Sequence, residues 1–216
     1  PLEETPVDFK TTSTGTPTVA PTPTSTAEPP KVLSVCTGQL PQSLFLYNGL
    51  QSHAKTNLLT ILYEAPFDLV AEETRPEILA RVPTLENGGI NLAQVTVQRG
   101  QTVMDAEGNL AVLKACLRIR PSGCRSEDCA VVWDGQMPVQ MDQLVVTYKL
   151  REGLAWSDGT PVTAEDSLFS FRLADAPETP GLHWAEDRTA VYRAETPQSV
   201  VWTGRPGFTT DDLSRF

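Results

Sequence analysis

Clusters of basic residues are missing from this sequence. Its 216 residues hold 17 Lys and Arg against 27 Asp and Glu, for a net charge of −10. Neutralising nucleic-acid phosphates takes grouped cations, so a nucleic-acid partner is excluded. Long apolar runs are missing too. Stretches such as Leu58 to Leu62 fall far short of the ~20 apolar residues that cross a bilayer. Histidine is scarce: His53 and His183 are the only two, and neither sits in an H-E-x-x-H spacing that would point to metal or catalysis. There is no G-x-S-x-G elbow. Gly88-Gly89 and Gly100 lack the strand-to-helix setting of a phosphate loop. The sequence therefore reads as no enzyme and calls for no cofactor. A signal peptide is absent as well, and the start at Pro1 without Met suggests a processed or trimmed beginning.

What is present starts with four cysteines, Cys36, Cys116, Cys124 and Cys129. Cys124 and Cys129 bracket a polar Arg-Ser-Glu-Asp loop, and a disulfide closing it is the preferred reading. Four thiolates are also the ligand count of a tetrahedral zinc site. The spacing disfavours zinc, because the C-x4-C pair has no second knuckle and the other two cysteines are scattered. With Cys124–Cys129 closed, Cys36 and Cys116 remain for a second bridge. Four cysteines allow three pairings, so the connectivity stays open.

Residues 11–30 are chiefly Thr, Ser and Pro, without an aromatic. Such a segment buries too little apolar surface to offset its ordering entropy, so residues 1–30 are expected to be a disordered Thr/Pro/Ser-rich tether. A folded body is expected over 31–216. It begins with a buried strand at Val32–Cys36, and a helix follows over Ser52–Glu64, capped by Ser52 and stopped by Pro66. Phe67–Val70 reads as a strand, and Glu72–Pro83 as a short helix opened by Pro76. The β-rich stretch 84–143 offers strands at Leu92–Val97, Thr102–Met104, Leu110–Ile119 and Ala130–Trp133. Near the end, Thr189–Ala194 and Ser199–Trp202 read as antiparallel neighbours, and a last helix starts around Thr210–Leu213. Trp156 reads as core, whereas Trp133, Trp184 and Trp202 suit either a core or a ligand cleft.

The densest local signal runs from Tyr148 to Leu173. A strand alternates through Val145–Arg151, Asp158-Gly159 makes a turn, and Pro161 keeps Thr160 extended. Thr163 then caps a helix whose first turn holds Glu165 and Asp166, with an apolar face of Ala164, Leu168, Phe169, Phe171 and Leu173. The order L-R-x-G-x-x-W-x-D-G-x-P-x-T-A-x-D-x-x-F-S-F over 150–171 resembles the signature of extracellular solute-binding proteins of family 5, which serve ABC importers of peptides, dipeptides and nickel. The strand, turn and helix ending in Tyr63-Glu64, Pro76-Glu77-Ile78-Leu79-Ala80 after Arg75, and the ending VVWTGRPGF are similar to the same family. At the first strand this sequence departs from it, with Leu44-Phe45-Leu46 where members carry Leu-Asp-Pro.

The resemblance implies an α+β fold with a mixed, largely antiparallel β-sheet and a few helices, part of a periplasmic-binding-protein-like (type II) lobe. It implies the N-terminal portion of lobe one, with the second lobe absent. The implied function is capture of an oligopeptide or other small solute for ABC permease subunits, outside the cell or in the periplasm. The implied membrane link is an N-terminal lipoprotein anchor, whose lipid-bearing cysteine is not in this sequence. Gln51, Ser52, His53 and Lys55 are the implied ligand-contact residues. The competing expectation is a stalked extracellular adhesion module with no small ligand.

Overall fold

The computed structural model describes residues 32, 34, 36, 38–48, 52–181 and 183–208. The expected tether, Gln51 and the helix start at Thr210–Leu213 lie outside the described residues. The chain divides into two units, Pro1–Cys36 and Thr37–Phe216. In the first, the described residues Val32, Ser34 and Cys36 are exposed and carry no strand. The rest of the strand expected over Val32–Cys36, Leu33 and Val35, lies outside the described residues.

The second unit is α+β. Its elements in order are α1 (His53–Leu62), β1 (Phe67–Val70), β2 (Glu73–Pro76), β3 (Ile90–Val97), β4 (Thr102–Met104), β5 (Leu110–Val112), β6 (Arg118–Ile119), β7 (Val131–Val132), β8 (Val139–Lys149), α2 (Ala164–Asp175), α3 (Trp184–Arg188), β9 (Thr189–Thr196) and β10 (Ser199–Gly204). The main sheet has the order β3-β8-β10-β9, with every neighbour antiparallel. Three two-stranded ribbons accompany it, β1-β2, β4-β5 and β6-β7.

Sequence signals account for most of these elements. The Ser52 hydroxyl accepts the Lys55 backbone N–H at 3.2 Å and starts α1. At α2 the Asp166 carboxylate accepts the Thr163 backbone N–H at 2.7 Å and the Thr163 hydroxyl at 3.1 Å, so the third helical residue holds the cap in place. The Asp158 carboxylate likewise fixes the turn before it, accepting from Thr160 through both the backbone N–H and the hydroxyl.

Three expectations fail. Glu72–Pro83 is not a helix, because Glu73–Pro76 pairs as β2 with β1. The two-residue turn between them places Ala71 at φ 50° and Glu72 at φ 69°, a conformation usually announced by Gly or Asn. The strand expected over Leu110–Ile119 is cut in two by a turn at Ala115-Cys116, with Cys116 at φ 68°. Trp156 is 44% exposed and Phe169 is 65% exposed, so neither anchors the core. On α2 the inward positions are Ala164, Leu168, Phe171 and Ala174, a narrower face than the composition suggested.

Two apolar clusters share the β3–β8 ladder. Ile90 faces Val146 and Leu92 faces Leu144, and these four join the cluster with Tyr148, Leu150, Val200, Trp202 and Ala164. Further along, Val95 faces Met141 and Val97 faces Val139, joining Val103, Leu113, Ile119 and Trp133. The apolar positions change parity between Leu92 and Val95, and between Leu144 and Met141. Side chains alternate sides along a strand, so the two clusters occupy opposite faces of one ladder. Each fully buried aliphatic in them is worth ~1.5–3 kcal/mol over exposure. Gly207 seals the seam at φ 86°, where a Cβ would lie 2.6 Å from the Met141 methyl and 2.7 Å from the Met104 carbonyl oxygen.

Candidate functional site

Three places in the second unit gather polar chemistry. The first is the start of α1. Ser52 is committed to the cap, His53 is exposed, and Lys55 is 2% exposed with its Nζ donating to Asn48 Oδ1 at 2.6 Å. Of the four residues the resemblance pointed to, Gln51 lies outside the described residues, and Lys55 faces inward.

The second is the cysteine loop. Cys124 and Cys129 are disulfide-bonded. Among the described residues Cys36 and Cys116 are the free cysteines, both exposed, and Cys116 is held in its tight turn by donating its N–H to the Trp133 carbonyl. The loop docks on Asp142 of β8, a carboxylate only 5% exposed. Asp142 accepts from the Ser122 hydroxyl at 2.5 Å and from the Gly123 N–H at 3.0 Å, with Arg125 3.9 Å away. Among the described residues no three His, Cys, Asp or Glu side chains come together as a metal site.

The third is a pocket of about 380 Å³ where α2 crosses the sheet. One wall is the face of β8, β10 and β9 that carries Tyr148, Val200, Trp202 and Tyr192. The other is α2, through Ser167, Ser170 and Phe171. The Ser167 and Tyr192 hydroxyls share a hydrogen bond of 2.7 Å, and Phe171 stacks at 4.8 Å between ring centroids on Tyr192. Tyr148, 6% exposed, has its hydroxyl buried without a hydrogen-bond partner. Burial pushes the Tyr148 phenol well above its ordinary value, and the neighbouring Tyr192 adds to this. Burial also raises Tyr192, against the hydrogen bond from Ser167. Tyr47 at the rim is raised by burial, with Ser170 opposing and the Glu186 charge adding. All three phenols are therefore neutral at physiological pH. Among the described residues the charged groups in the lining are Asp166 and Glu186.

Sequence reasoning missed this pocket. It read the strand and helix as scaffold, and nothing in the spacing shows that the Tyr148 hydroxyl is stranded while the Tyr192 hydroxyl is not.

Residues 136–203, from just before β8 to the penultimate residue of β10, match the model of the bacterial extracellular solute-binding proteins, family 5 Middle. Over that segment the chain is similar to this family. The periplasmic oligopeptide-binding protein OppA of Salmonella typhimurium is 32% identical over 120 residues, which is 55% of this chain and 21% of the relative. The chain thus spans about a fifth of that relative's length. A solved structure, an oligopeptide binding protein from Thermus thermophilus complexed with pentapeptide, is similar with a TM-score of 0.49 and 19% identity, covering 74% of this chain and 20% of that one. Within the family segment lie β8, the Asp158-Gly159 turn, α2, α3, β9 and most of β10. The pocket is built largely from it.

Proposed function

We propose that this chain is part of the substrate-binding component of an ABC importer, one that captures peptides or a similar solute between two lobes. The observation that carries this reading is the family match over residues 136–203. The relative's name, a periplasmic oligopeptide-binding protein, supports peptides as the solute class and a place outside the cytoplasmic membrane. In this reading residues 31–216 belong to the N-terminal portion of lobe one and residues 1–30 are a tether to a lipoprotein anchor. The second lobe comes from chain beyond these residues. Loaded protein is then handed to the permease subunits.

The proposed ligand-contact stretch is Gln51, Ser52, His53 and Lys55. Ser52 and Lys55 hold the conformation of this stretch through the cap and through Asn48, and His53 presents its ring outward. The proposed role is binding rather than turnover. Calorimetry of the whole protein with a tripeptide library and with nickel tests the reading. Saturable heat with peptides is expected, and its absence with every peptide would remove peptides as the solute.

A further inference from the structure

We propose that Asn87-Gly88 is a deamidation site that works as a one-way latch at the entrance to β3. While the loop stays folded, the Asn87 amide is protected. Once the loop opens, the amide converts to a carboxylate that cannot rebuild the same contacts.

The sequence holds two Asn-Gly pairs, Asn48-Gly49 and Asn87-Gly88. Glycine is the following residue that least hinders ring closure on an asparagine side chain, because it has no Cβ and turns freely. Its backbone nitrogen attacks the Asn Cγ, the Cγ–Nδ2 bond breaks, and Nδ2 leaves as ammonia. Water then opens the cyclic imide at either carbonyl. The products are aspartate and its isomer, whose backbone runs through the side-chain carbon. Water is the only co-reactant. Gly49 lies outside the described residues, whereas Asn87 and Gly88 are both described.

In the fold, both reacting groups are tied down. Asn87 Oδ1 accepts the backbone N–H of Thr84 at 3.0 Å and of Gly89 at 2.9 Å, and Nδ2 donates to the Val82 carbonyl at 2.8 Å. The Asn87 N–H donates to the Thr84 hydroxyl at 3.1 Å. The attacking nitrogen, that of Gly88, donates to the Leu85 carbonyl at 3.2 Å. Cyclisation must release Gly88 from Leu85 and Nδ2 from Val82 together, so the loop opens first.

A converted loop cannot close as before. An aspartate oxygen in the place of Nδ2 would face the Val82 carbonyl oxygen, acceptor against acceptor. The isomer adds a backbone carbon shortly before Gly89, which has no room to shift: a Cβ on Gly89 would lie 2.7 Å from Pro83 Cα. Gly89 carries the change into the sheet, because its carbonyl accepts the Thr147 N–H of β8 at 2.8 Å. Its neighbour Ile90 donates to the Thr84 carbonyl at 3.0 Å, opens β3, and packs on the cluster of Leu144, Val146 and Tyr148. Conversion thus loosens the end of the ladder along with the loop.

Peptide mapping by mass spectrometry tests this on the whole protein, folded and in urea at mildly alkaline pH. Asn87 is expected to deamidate about a hundredfold more slowly folded than in urea, the protection a few cooperating hydrogen bonds supply. Thr84→Val removes the acceptor of the Asn87 N–H. It should speed conversion of the folded chain about fivefold, one hydrogen bond's worth, and leave the rate in urea unchanged. Asn87→Asp should speed amide hydrogen exchange at Ile90 and Thr147 about tenfold, with Trp202 unchanged. The proposal is overturned if Asn87 converts equally fast folded and in urea, if Thr84→Val leaves the folded rate as it was, or if Asn87→Asp exchanges like the parent at Ile90 and Thr147. None of these readouts needs a solute, so failure of the peptide reading leaves the latch standing.

Discussion

Asp142 in the middle of β8 accepts the backbone N–H of Gly123 at 3.0 Å, and so a buried carboxylate holds down a loop that a disulfide closes. Hydrogen bonds to a charged acceptor are the stronger kind, and the same carboxylate takes the Ser122 hydroxyl. Asp142→Ala leaves both donors without their partner. It should cost ~1–3 kcal/mol per stranded donor, read as a lower urea midpoint with an unchanged slope.

The disulfide itself spans a sequence separation of 5. Chain entropy for so small a loop gives ~2 kcal/mol of stabilisation. Cys124→Ser with Cys129→Ser should therefore lower the melting temperature, and a reductant should lower that of the native chain by a similar amount. If reduction changed nothing, the loop would be held by Asp142 alone.

The cap of α2 rests on one side chain. Asp166→Ala removes the acceptor of the Thr163 N–H and hydroxyl, at a cost of ~0.5–2 kcal/mol. Asp166→Asn should retain part of it, because an amide oxygen still accepts. Chemical denaturation of both variants separates the two effects.

Alkaline pH should destabilise this chain through its tyrosines. Tyr148 and Tyr192 are buried and hold their protons above the ordinary phenol value of 10.0. The unfolded chain releases those protons near pH 10, whereas the folded chain keeps them. The folded state then binds more protons than the unfolded one, so stability is complete below pH 10 and falls as pH rises above it. The urea midpoint should drop between pH 9 and 11, and less so in Tyr148→Phe. An equal drop in that variant would assign the effect to other groups.

Either apolar cluster can be weakened by itself. Leu144→Ala removes a buried residue from one and Leu113→Ala from the other, each at ~2–5 kcal/mol. Because both clusters share β8, each variant should still unfold in one transition, with Trp133 and Trp202 fluorescence changing together. Separate midpoints for the two indoles would show independent subdomains.

Periodicity and caps made the scaffold legible. Ser52 and Thr163 marked their helices, and β3, β9, β10 and the second half of β8, from Val145, were marked by their apolar patterns, while Val139–Gln143 of β8 was not. What the residues did not show has physical causes. The β1–β2 hairpin turns on Ala71 and Glu72 in left-handed conformations, which tertiary context imposes rather than residue preference. Residues 110–119 look like one strand because apolar residues continue through the turn, and only Cys116 at positive φ breaks them. The pocket was hidden for another reason. Tyr148 reads as any buried strand aromatic, and its stranded hydroxyl depends on where Ser167 and Ser170 fall on a helix further along the chain.

The parity change along β3 and β8 gives this sheet a means of checking its own alignment. In a strand with one apolar face, a slip by one residue misplaces a single core. Here the same slip would turn Ile90, Leu92, Leu144 and Val146 outward at one end and Val95, Val97 and Met141 outward at the other. No offset by one satisfies either end, so a misaligned ladder has no half-correct resting place. Proofreading of the pairing is thus written into the order of apolar residues on two strands, before any ligand arrives.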